Sequence, residues 1–168
     1  MSDPYGIPDS MFGQVPEEFF GLLGRIVMVT SFLELRLLDL LTELDQVPQD
    51  VHAGKSGAVL IKGCRRKLSD YEPVFAEDAR AVLDRVGEVL QQRNAVVHSI
   101  WPSSDPGGAY GWRPRLAGQR EERTPWQPYG SIEVTGTELG GIITASVGLV
   151  GDLDRLRADA HRSRRATL

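Results

Sequence analysis

The chain has 168 residues, 41% hydrophobic and 25% charged, with 19 basic against 23 acidic side chains and a formal charge of -4. That length suits one ordinary domain and excludes a two-domain enzyme of the hinge-and-cleft type. The acidic balance excludes a chain that coats duplex DNA or anionic membrane through bulk electrostatics, so any nucleic-acid contact must be local.

Residues 1–14 combine proline and glycine with little periodicity and read as a loose arm; residues 15–168 read as a single domain. Pro16 followed by Glu17 and Glu18 marks a helix start, since proline loses nothing at the first helical position and carboxylates suit the positive end of the dipole. From there Phe19, Leu22, Leu23, Ile26, Leu33, Leu37, Leu40 and Leu44 recur at three- and four-residue steps, and the helix breaks at Val47-Pro48. A shorter helix follows over about 55–68, with Leu60 and Leu68 inward and Lys62, Arg65, Arg66 and Lys67 near its end. Pro73 opens a third helix whose stripe Ala79, Leu83, Val86, Leu90, Val97, Trp101 carries it to Pro102, about 43 Å at 1.5 Å per residue.

Residues 102–135 change character and read as a Pro-rich insertion holding a small β-hairpin, with strands near 109–116 and 131–134. Trp112, Trp126 and Tyr129 within it are better suited to packing than to base stacking. Thr135 with Glu138 has the form of a capping box and starts a fourth helix, although Gly140, Gly141, Gly148 and Gly151 weaken it enough that part of 139–150 is open to an extended reading. The expected fold class is therefore mainly all-α: an up-down bundle of about four helices with a hairpin insertion before the last.

Cys64 is the only cysteine, which excludes an intramolecular disulfide and a Cys-based zinc cage and suits a reducing compartment. His52, His98 and His161 share no metal-ligand spacing, so neither a metal site nor a cofactor is expected. Gly54-Lys55-Ser56 resembles the end of a phosphate loop, but Gln49 stands where that loop needs glycine and no strand precedes it. No apolar run precedes Arg25, and the longest uncharged stretches fall short of the ~20 residues of a membrane span. A cytoplasmic protein with no membrane partner is expected.

The informative segment is Arg93-Asn94-Ala95-Val96-Val97-His98. On a helical wheel Arg93 falls on one shoulder of the buried stripe, with Asn94 and His98 one turn apart on the other. An arginine so placed needs a carboxylate, a partner subunit or an anionic ligand. Glu34, inside the unusually wide apolar arc of the first helix, is the candidate carboxylate, facing the third helix or a second subunit and orienting Arg93. The plainer alternative has Arg93 snorkelling and His98 making a backbone bond at the helix end.

The R-x4-H form of Arg93 to His98, the first-helix text Thr30-Ser31-Phe32-Leu33-Glu34-Leu35-Arg36-Leu37, and Trp101 three residues beyond the histidine resemble the HEPN family (higher eukaryotes and prokaryotes nucleotide-binding domains) over roughly residues 16–101. The Pro-rich insertion departs from that family's minimal bundle. The resemblance implies a metal-independent endoribonuclease whose site forms where two motif helices meet in a homodimer, with Arg93, Asn94 and His98 catalytic and Glu34 supporting. It further implies a toxin or phage-defence setting with a neutralising partner protein, or else a catalytically silent nucleotide-binding or protein-interaction module. Lys62, Arg65, Arg66 and Lys67 would guide the RNA substrate, or simply complement the helix end. The excess apolar arc of the first helix (Phe20, Val27, Leu38) independently suits burial between subunits.

Overall fold

A computed structural model describes residues 6, 17–105, 108–114 and 129–165. The expected arm at 1–14, the Pro16 helix start and Trp126 lie outside the described residues, apart from Gly6. The fold is mainly α-helical: α1 (Glu17–Asp45), α2 (Gly57–Lys67), α3 (Pro73–Val97) and α4 (Gly136–Arg165), with short 3-10 turns at Gln49–Val51 and Leu68–Asp70. Between α3 and α4 lie β1 (Ile100–Asp105), β2 (Gly108–Pro114) and β3 (Tyr129–Val134), an antiparallel sheet in the order β1-β2-β3. The chain divides into two compact units, one of Met1–Val27 with Gln92–Ile142, the other of Met28–Gln91 with Ile143–Leu168.

The second unit is a helical bundle. From Leu33 onward the expected α1 stripe enters its core as Leu33, Leu37, Leu40 and Leu44, joined by Leu60 and Leu68, by Ala79, Leu83, Val86 and Leu90, and by Leu149, Leu153 and Leu156, all buried; Phe19 and Ile26 are buried in the first unit, and Leu22 and Leu23 there are half-buried. Fully burying one such leucine contributes about 1.5–3 kcal/mol. Gly140, Gly141, Gly148 and Gly151 do not interrupt α4. No atom lies within 4 Å of where a Cβ would stand on any of them, so they occupy open positions and cost only helix propensity.

Helix directions follow from the contacts. A Cβ on Gly57 would lie 2.9 Å from Glu34 Oε1, one on Gly63 would lie 2.8 Å from Leu41 Cδ2, and Lys67 pairs with Asp45. The contacts climb both helices together, so α2 runs parallel to α1 where a simple up-down order would oppose them. The reason is the intervening loop, which folds back along α1. Gln46 leaves the helix at a left-handed φ of 57°, with its amide donating to the Glu43 carbonyl at 2.7 Å, and Gln49 Nε2 donates to Asp39 Oδ1 at 3.0 Å. Leu90 at Gly57 and Asp84 at Arg65 make α3 antiparallel to α2. Arg155 grips Asp78 with both terminal nitrogens (2.7 and 3.4 Å) and Arg85 reaches Asp152 at 2.6 Å, so α4 opposes α3.

The returning loop is fastened by a buried histidine. His52, only 4% exposed, sets Nε2 3.0 Å from Asp45 Oδ2, and Lys55 Nζ donates to its Nδ1 at 2.7 Å. The hydrogen-bonded Lys67 ammonium holds the Asp45 carboxyl below its ordinary value, against the opposing push of desolvation and with help from the Lys67 charge and the neighbouring His52 ring. A depressed folded-state pKa adds stability that is full above the unfolded value near ~3.9 and is lost as pH falls through the folded value. Asp45→Asn is therefore expected to weaken the protein at neutral pH and to flatten its loss of stability below about pH 4. Urea titrations of both forms from pH 2 to 7 check this; parallel curves would contradict it.

Cys64 is wholly buried, its Sγ 4.0 Å from the Leu37 carbonyl, and burial pushes its thiol up to about 12. Since the thiolate is the reactive species, a disulfide reagent at pH 8 is expected to label it only as the protein unfolds. Labelling on mixing in native buffer would contradict the packing.

The first unit contains the start of α1, the end of α3, the sheet and the first turns of α4. The expected hairpin is present as β2 and β3, where Trp112 faces Ser131 and Pro114 faces Tyr129 in register. A third strand is added, and it corrects one expectation. The third helix ends at Val97, not beside Pro102, and Trp101 belongs to β1. Trp101 is buried all the same, its ring edge-on to Phe19 at 4.9 Å, so its apolar position in the helical stripe misread a strand contact as a helical one. The β1–β2 register slips between Ile100 and Ser103, around Pro102, which has no N–H for the ladder. At the far end Thr135 caps α4 as expected: Glu138 N–H donates to Thr135 Oγ1 at 3.2 Å, and Thr135 N–H to Glu138 Oε2 at 2.7 Å.

Candidate functional site

Helix α3 delivers the motif at its last turn. Arg93 and Asn94 are half-buried, and Arg93 Nη1 donates to Asn94 Oδ1 at 2.8 Å. The wheel put these two on opposite shoulders; the long arginine stem spans that gap and joins them. The bond uses the amide oxygen and leaves both amide N–H groups of Asn94 directed elsewhere. A guanidinium held this way has a defined direction, and its planar fork suits a phosphate.

His98 is the first residue beyond α3. Its backbone N–H donates to the Asn94 carbonyl at 3.2 Å, while its imidazole is exposed and makes no hydrogen bond among the described residues. The backbone bond of the plainer alternative exists, yet it leaves both ring nitrogens available. An imidazole so placed can take a proton or give one up. Arg93, Asn94 and His98 thus share one turn of one helix end, in the first unit.

Glu34 and the basic cluster belong to the second unit. Glu34 is half-buried, and its carboxylate lies against Gly57, the first residue of α2, beside Leu90 of α3. A carboxylate there faces the positive end of the α2 dipole, a local reason for its place that needs no arginine. The basic cluster divides. Arg65 pairs with Asp84 and Lys67 with Asp45, whereas Lys62 and Arg66 are exposed with no ion pair among the described residues. Only the latter two offer unspent charge for phosphate.

A concavity of about 690 Å³ lies in the helical unit between α1 and α4. Its cations are spent: Arg36 lies 3.4 Å from Asp154, Arg157 3.4 Å from Asp39, and His161 3.2 Å from Glu43. Sequence reading missed this ladder and the Asp45–His52–Lys55 cluster. The signal for the ladder is a run of charges on α1 matched by opposite ones on α4, which acquires meaning once the two helices are known to be parallel; the cluster has no such signal. Among the described residues no group of three or more His, Cys, Asp or Glu side chains is placed to hold a metal ion. None of the described helices is long and apolar enough to cross a membrane.

Comparison with protein-family models, with curated proteins and with solved structures gave no match for this chain.

Proposed function

We propose that the chain is an endoribonuclease of HEPN type, acting as a homodimer that brings two copies of the α3 end together. The observation that carries this reading is Arg93 clamped by Asn94 one turn from an exposed imidazole without a hydrogen bond to its ring among the described residues. In the reaction the RNA 2′-oxygen attacks the adjacent phosphorus while His98 takes the 2′-proton. The bond from phosphorus to the 5′-oxygen breaks, and that oxygen leaves with a proton from the imidazolium of His98 of the partner subunit. The products are a 2′,3′-cyclic phosphate and a 5′-hydroxyl. Arg93 holds the phosphate and stabilises the charge that builds on its oxygens, and the amide N–H groups of Asn94 add donors. No step as drawn requires a metal ion.

The homodimer rests on α1. Its outer side exposes Phe20 (38%), Val27 (43%), Met28 (76%), Phe32 (46%) and Leu35 (42%), large apolar groups of the kind that subunit contacts bury. Leu38 is half-buried already and adds less than its sequence position implied. A supporting role for Glu34, steering of RNA by Lys62 and Arg66, and a toxin or defence role with a neutralising partner follow from the resemblance alone. Incubating mixed RNA with wild type and His98→Ala in EDTA tests the proposal. Cleavage by wild type alone supports it; no cleavage, or equal cleavage by both, removes it.

A further inference from the structure

A helix end leaves its last carbonyls without partners, and most often a following glycine or water satisfies them. No glycine follows α3: the next residues are His98, Ser99, Ile100 and Trp101. The His98 N–H takes the Asn94 carbonyl at 3.2 Å, the Ser99 hydroxyl donates to the Ala95 carbonyl, and Trp101 Nε1–H donates to the Val96 carbonyl at 3.1 Å. Three successive carbonyls are thus closed by groups reaching back from the exit segment. The outermost of these, Trp101, is itself fixed: it is 4% exposed and stacked edge-on against the buried Phe19.

His98 stands between the helix and this clasp. With no hydrogen bond to its ring among the described residues, its backbone must set where the imidazole lies. We propose that Ser99 and Trp101 are positioning residues for His98, holding the turn after α3 so that the imidazole keeps its place relative to Arg93. This inference rests on the ribonuclease reading above. A misplacement of about 1 Å at a reacting group can lower a rate by about 10²-fold, so the clasp acts on turnover and leaves phosphate binding to Arg93 intact.

Trp101→Phe keeps an aromatic ring against Phe19 and removes the N–H; Ser99→Ala removes the hydroxyl; Ser99→Thr restores one. Each is assayed for kcat and KM on RNA in EDTA, with the His98 ring signals and the exchange of its backbone amide followed by NMR. The expected result for Trp101→Phe and Ser99→Ala is a fall in kcat of about 10-fold or more at unchanged KM, with shifted ring signals and faster exchange, while Ser99→Thr behaves as wild type. Ser99→Ala keeps the test alive if Trp101→Phe does not fold. Where wild type cuts RNA, unchanged His98 signals in Trp101→Phe and Ser99→Ala overturn the clasp alone, as does a loss of activity that merely tracks the unfolded fraction. A wild type that does not cut RNA overturns the ribonuclease reading, and the catalytic role of the clasp with it.

Discussion

Cleavage of RNA is expected to fall about 10²- to 10⁴-fold in His98→Ala and about 10²- to 10³-fold in Arg93→Ala, the ranges usual for losing a general base and a charge-stabilising donor. The two losses differ in kind. His98→Ala removes the proton acceptor and lowers kcat with little effect on KM. Arg93→Ala removes a group that meets phosphate in both ground and transition states, so KM rises as well. Arg93→Lys keeps the charge but not the planar fork that reaches Asn94 Oδ1 while facing phosphate, and recovers only part of the loss. If the site is shared between two copies, mixing the His98→Ala and Arg93→Ala proteins restores some activity where the halves complement. Initial-rate measurements on one defined RNA separate these cases. Equal activity in all variants would mean that the motif end of α3 is not a reaction site.

Gly63→Val is expected to destabilise the protein by about 2–3 kcal/mol, a fall in melting temperature of about 5–10 °C for a chain of this size. Gly63 is buried in α2, and a Cβ there would stand 2.8 Å from Leu41 Cδ2 and 3.1 Å from Cδ1. Leu41 is itself 2% exposed, so its methyl groups have little free space to yield. Alanine regains up to about 1 kcal/mol of helix propensity and partly offsets its own clash. Valine adds two methyl groups to the same contact and gains less propensity, so overpacking wins. Melting curves of wild type, Gly63→Ala and Gly63→Val give the order expected, with valine lowest by several degrees. A valine variant as stable as wild type would show that α1 and α2 do not approach this closely.

What the sequence made legible was local. Thr135 and Glu138 announce the start of α4 because a capping box needs only two side chains at a fixed spacing, and both reciprocal bonds are present. The inward face of α1 was readable because burial follows the helical period. Where two periods agree by chance the reading fails: Trp101 continues the helical stripe of α3, but its burial comes from β1 and Phe19. Helix direction was not legible at all. Nothing in residues 46–56 says that the loop doubles back, and the anchor that makes it do so, His52 on Asp45, is a tertiary contact. The site shows the same division. Spacing and resemblance single out Arg93, Asn94 and His98 as candidates, whereas the Arg93–Asn94 bond depends on a side-chain path that a wheel does not contain. The division of the basic cluster into paired Arg65 and Lys67 and unpaired Lys62 and Arg66 depends on Asp84 and Asp45 arriving from other helices.

The claim on which the rest depends is that RNA is cut by its own 2′-hydroxyl at the Arg93–His98 helix end. The most direct measurement is the chemistry of the ends produced when wild type and His98→Ala are incubated with a defined RNA in EDTA. Fragments ending in 2′,3′-cyclic phosphate and beginning with 5′-hydroxyl, formed by wild type and not by His98→Ala, are the expected result. Uncut RNA, fragments with 3′-hydroxyl and 5′-phosphate ends, or the same fragments from both proteins would contradict it.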